Sequence, residues 1–91
     1  MKHLPDYVTA YRRTPDFTDE SVPKGLLNDH NTAEGVWGKI VILEGELEYT
    51  IQEPDVEVLV LTPQRHGVVE PEIRHHIKPL GAVLFYVEFH R

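Results

Sequence analysis

An all-β fold, one small jelly-roll sandwich or barrel, is what this sequence predicts, and three observations carry the prediction. Seven prolines and six glycines break the chain so often that a helix of average length finds little room. Leu47, Tyr49 and Ile51 alternate strictly with Glu46, Glu48, Thr50 and Gln52, which is the period of a strand with one wet face. Strand-like runs bounded by turn residues recur roughly every 8–12 residues, a spacing typical of sandwiches and barrels.

The elements follow in order. Residues 1–25 read as an extended N-terminal arm with a first strand near Tyr7–Tyr11, and Arg12–Pro23 as a loop anchored by Phe17. Residues 26–91 read as the core of a single domain spanning 1–91, since 91 residues support one hydrophobic core. Lys39–Leu43 is rich in β-branched residues and precedes Glu44-Gly45, so the spacing predicts a hairpin with the alternating strand Leu47–Ile51. A turn at Glu53-Pro54-Asp55 leads into Val56–Thr62, apolar on both faces and expected to be sandwiched. Pro63–Gly67 is a loop, Val68-Val69 a short strand, and Glu70-Pro71-Glu72 a turn. In Ile73–Lys78 the alternation turns Ile73, His75 and Ile77 inward, and Arg74, His76 and Lys78 outward. Ala82–Phe89 closes the chain as a strand whose only charged residue is Glu88.

Composition removes several function classes. There is no cysteine, which excludes disulfides, thiolate metal sites and Cys nucleophiles. Fifteen acidic against nine basic residues give a net charge of −6 with no basic run, so nucleic acid is not an expected partner. The longest apolar run, Leu80–Val87, is far short of the roughly 20 residues that span a bilayer. No apolar leader opens the chain, so no membrane partner and a cytoplasmic location are expected. No Ser/His/Asp constellation with a nucleophile turn is visible. No glycine-rich strand–turn–helix is present to hold S-adenosylmethionine, so the chain is expected to lack a methyltransferase domain.

The block His30–Lys39, then Val41–Leu47, Thr62-Pro63 with His66, and Val69-Glu70-Pro71 followed by His75 and Ile77, together resemble the TehB/YeaR-like branch of the cupin superfamily. The resemblance implies a jelly-roll barrel in which segments around His30–Gly45 and Pro71–Ile77 face one central pocket. It implies a stress or tellurite-resistance role, more as a binding protein than as an enzyme. It also implies a metal site, with His30 and His75 as ligands of one divalent ion, zinc, nickel or iron. The second-histidine position of that pattern falls on Thr32 and its glutamate position near Gly38, so His66 and Glu88 would have to complete the set. A metal-assisted isomerase or oxygenase and a dimeric regulatory module are the alternatives.

Six residues stand out as pocket candidates: His30, Thr32, Trp37, His66, His75 and Glu88. His75 is the most constrained, because an inward imidazole between two isoleucines must find a buried partner or face a polar cavity. His30 and His66 lie in polar loops where a solvated histidine is the competing reading. Glu88, a lone acid in an apolar strand, is either paired with a base or aimed into the cavity. Trp37 closes the pocket floor or fills the core. The expected ligand is a small molecule or an ion, and the expected assembly a homodimer formed through outward apolar pairs such as Leu59/Leu61 and Leu84/Tyr86.

Overall fold

A computed structural model describes all residues, Met1–Arg91. Its regular structure is almost entirely strand: 46% of residues, against 4% in helix. The strands are β1 (Ala10–Arg13), β2 (Phe17–Thr18), β3 (Trp37–Glu44), β4 (Leu47–Ile51), β5 (Glu57–Leu61), β6 (Gly67–Val69), β7 (His75–Pro79) and β8 (Leu84–His90), with one turn of helix, α1 (Lys24–Leu27), between β2 and β3. β1, β8, β3 and β6 form one sheet in that order, with β2 also on β8, and β5, β4 and β7 form the other. The result is a small β-sandwich, and the two sheets do not close into a barrel. No helix is long and apolar enough to cross a membrane.

Alternation decides which residues fill the space between the sheets. Ile40 and Ile42 of β3, Phe85 and Val87 of β8, Leu47 and Tyr49 of β4, Leu59 and Leu61 of β5 and Ile77 of β7 all belong to one buried cluster. Tyr49 keeps its hydroxyl satisfied there by donating to the Val68 carbonyl at 3.0 Å. Burial pushes its ionisation well above the ordinary tyrosine range, helped by the Glu70 and Glu57 carboxylates, so the donor stays protonated. Phe17 is the predicted anchor of the N-terminal loop: it pairs with Phe85 across β2 and β8 and packs edge-to-face on it at 5.7 Å.

The predicted hairpin at Glu44-Gly45 is not a hairpin. β3 pairs with β6 and β8, and β4 with β5 and β7, so Glu44-Gly45 carries the chain from one sheet to the other. Only glycine serves there, since its φ is +80° and an added Cβ would lie 2.2 Å from the Ala82 carbonyl oxygen. The second correction concerns β5. It is an edge strand, and while Leu59 and Leu61 face the core, Val56, Val58 and Val60 are 71, 57 and 40% exposed. The molecule has two layers only, so nothing packs on the outer face of this sheet and an apolar pattern on both sides did not make the strand a sandwiched one.

Candidate functional site

The segment before β3 and the start of β7 meet at one corner of the sandwich. His30 and His75 exchange two backbone hydrogen bonds, each 2.8 Å, and their rings stand edge-to-face with centroids 5.5 Å apart. The chain thereby places two imidazoles, 45 positions apart in sequence, beside one pocket between the sheets. Its walls are Thr14, Leu26, His30, Thr32, Gly38, Ile40, Val69, His75, Ile77, Val87 and Phe89. The free space is about 50 Å³, enough for a few water molecules or a very small group.

His75 forms the buried side of the pocket and is 5% exposed. Its Nδ1 lies 3.0 Å from the Ile73 carbonyl, which can only accept, so Nδ1 carries the hydrogen and Nε2 is the acceptor nitrogen. The Tyr49 ring packs against it edge-on at 5.8 Å. Burial lowers its pKa. The Ile73 carbonyl works in the opposite direction, and the neighbouring His30 and His76 add to the lowering. The folded protein therefore holds a neutral imidazole. Because the unfolded chain takes up that proton at about pH 6.5 and the native state only below it, His75 lowers stability as pH falls through 6.5 and has no such effect above it. Urea titrations between about pH 5 and 8 are expected to show this slope, and a His75→Gln chain should show a flatter one; identical slopes would mean a solvated ring.

His30, at the mouth, is exposed. Thr32 lines the wall with its hydroxyl already committed, donating to the Val36 carbonyl at 2.8 Å. Trp37, His66 and Glu88 are not part of the lining. On β3 the buried residues are Gly38, Ile40 and Ile42, so Trp37 stands on the opposite, outer face. On β8 the buried residues are Phe85 and Val87, and Glu88 projects outward onto His90, whose Nε2 is 2.8 Å from its carboxylate. His66 is an exposed loop residue on another groove, with Met1, Lys2, His3 and Arg65. Partial burial lowers its pKa, and Lys39 and His3 add to that.

The sequence reading missed Thr14, Leu26, Gly38, Ile40, Val69, Ile77, Val87 and Phe89 as pocket residues. Parity along β8 was the available signal for Val87 and Phe89, which share the inward side with Phe85. Thr14 had none: it arrives because its hydroxyl accepts the Val87 N–H at 3.0 Å, holding the N-terminal loop on β8.

The expected divalent metal fails on this geometry. No three His, Asp or Glu side chains are grouped to hold an ion. His66 and Glu88 cannot complete a His30–His75 set, and the remaining walls are mostly aliphatic or aromatic.

The family model described as TehB-like domain matches residues 12–87. Two curated proteins, each named probable S-adenosyl-L-methionine-dependent methyltransferase TehB and from two strains of Haemophilus influenzae, are 31% and 30% identical to this chain over 76 residues. In both cases the match covers 79% of this chain and 27% of the relative, so the chain spans about a quarter of those proteins. Among solved structures, TehB from H. influenzae superposes with a TM-score of 0.84 at 28% identity, over 93% of this chain and 32% of that one. A protein from E. coli superposes with a TM-score of 0.88 at 20% identity, over 100% of this chain and 97% of that one, a likeness of fold.

Proposed function

Since this chain belongs to the TehB-like domain family, we propose that it serves S-adenosylmethionine-dependent methyl transfer as the acceptor-side module of a TehB-type system, in the tellurite-resistance setting that the resemblance implies. The names of its relatives overturn three expectations: a ligand- or metal-binding cupin as the function, a chain that is no enzyme and has no methyltransferase domain, and a divalent ion as the cofactor. The metal-assisted isomerase or oxygenase and the regulatory dimer, each read as the whole function, fall with them.

S-adenosylmethionine does not fit the residues present here. A nucleoside cofactor needs a pocket of roughly 300–1,000 Å³, against about 50 Å³ beside His75. The larger groove near Tyr49, about 440 Å³, is lined by Glu53, Asp55, Glu57 and Glu70 and has no glycine-rich turn between a strand and a helix. The one helix, α1, is four residues long. What the chain does offer is a concave, mainly apolar wall in which the buried imidazole of His75 stands with His30, Thr14 and Thr32 as the polar groups, and this is the observation on which the acceptor-side role rests.

The test is a chimera in which this chain replaces the matched segment of H. influenzae TehB, assayed with tellurite as acceptor. The chimera is expected to transfer methyl groups, and His75→Phe is expected to raise the KM for the acceptor several-fold while leaving the KM for S-adenosylmethionine unchanged. Equilibrium dialysis of the 91-residue chain alone should detect no S-adenosylmethionine binding. Binding by the isolated chain, or an acceptor KM that His75→Phe does not move, would overturn the proposal.

A further inference from the structure

Sheet edges expose unpaired N–H and C=O groups, and proteins that stay monomeric usually blunt them with basic residues, proline, bulges or cover. Three of the four outer edges here are blunted. β1 carries Arg12 and Arg13 and a register irregularity between Ala10 and Arg12. β6 is three residues long and buried throughout. The free side of β7 is taken by the His30–His75 backbone pair. β5 has one such feature, at its very start, where the Glu57 carboxylate holds the Met1 ammonium at 2.8 Å; the rest of its edge carries none of these devices. It pairs with β4 alone, in unbroken register from Leu47–Leu61 to Ile51–Glu57. Between Glu57 and Leu61 it has no basic residue and no proline, and Val58 and Val60 stand on its exposed face.

We propose that this edge is a self-association surface and that its occupant is β5 of a second copy of the chain, paired antiparallel about Leu59. The sequence Glu57-Val58-Leu59-Val60-Leu61 is self-complementary in that register. Val58 lies opposite Val60 of the partner subunit, Leu59 opposite Leu59 of the partner subunit, and Glu57 opposite Leu61 of the partner subunit, so the one charged residue never meets its own copy. The two three-stranded sheets become one six-stranded sheet, β7-β4-β5 continued by its symmetry mate. Both inner faces stay on the same side, because the two-fold axis is perpendicular to the sheet and parity is preserved. A five-residue edge contact buries less than a standard interface, so the dimer is weak and its population depends on concentration in the micromolar range and above.

Sedimentation velocity of the full chain between about 5 and 500 µM tests this. The weight-average mass is expected to rise from 10.5 kDa toward twice that value. Val58→Lys combined with Val60→Lys sets lysine against lysine across the junction and should raise the dissociation constant at least about ten-fold, with an unchanged circular dichroism spectrum because both side chains point to solvent. Amide hydrogen exchange of the unaltered chain gives a reading that needs no variant: protection should increase with concentration at β5 and not at β1. A chain that stays monomeric throughout, a double variant that associates like the parent, or protection gained away from β5 would each overturn the proposal.

Discussion

Gly45→Ala is expected to cost about 3 kcal/mol or more and to lower the melting temperature by roughly 12–24 °C. Two effects add. The residue sits at φ +80°, where a Cβ costs roughly 1–2 kcal/mol. That Cβ would also lie 2.2 Å from the Ala82 carbonyl oxygen and 3.1 Å from the Val83 Cα, which are backbone atoms and cannot rotate away. The point of contact matters: Gly45 is where the chain leaves β3 for β4, and Ala82-Val83 lead into β8, so relief would mean parting the crossover from the strand beside it. Gly81→Ala is the control. Gly81 has φ +99° and nothing within 4 Å of an added Cβ, so its loss should stop at the conformational term. Thermal and urea unfolding of the two variants decide the matter, and equal losses would rule out the backbone clash.

Phe85→Ala is expected to remove about 3–5 kcal/mol, a large part of the roughly 5–15 kcal/mol that holds a domain folded. The ring is fully buried, lies in the cluster shared by both sheets and supports Phe17 edge-to-face. Its loss opens a cavity that rigid strands on either side cannot fill, and it frees β2, which has no other partner than β8. Phe89→Ala, in a partly exposed position on the pocket wall, should cost visibly less. The denaturant midpoint should shift with little change in slope. A loss below about 1 kcal/mol for Phe85 would mean that the cluster does not carry the sandwich.

How much of this was legible in the residues depended on contrast between the two sides of a strand. β4 alternates polar with apolar, and Ile73 and Ile77 flank His75 on one parity while Arg74 and Lys78 take the other, so Tyr49 and His75 read as inward and are buried. In β3 and β8 nearly every residue is apolar, so the contrast that would separate their two faces is weak. Trp37 and Glu88 stand on the outer parity, whereas Gly38, Ile40, Val87 and Phe89 occupy the inner one and form the wall. β5 shows the converse error. Valine and leucine at alternate positions look alike in sequence, but one set packs in the core and the other stands in solvent, because the number of layers packed on a sheet is not encoded in any one strand. The single helical turn α1 was missed because four residues are too short to show a period.

By itself the sequence determined that this chain is all β, that it lacks thiol chemistry and a basic surface, and which face of β4 and of β7 turns inward. Those properties are local: they depend on side-chain type, on the two-residue period and on where glycine and proline interrupt it. The tertiary structure decided that β3 and β4 belong to different sheets, that His30 meets His75 beside a pocket too small for a nucleoside, and that β5 is left at an open edge. Pairing joins residues distant in the chain, and the choice among possible partners is made by the shared core that all of them must fill together, which no window of a few residues contains.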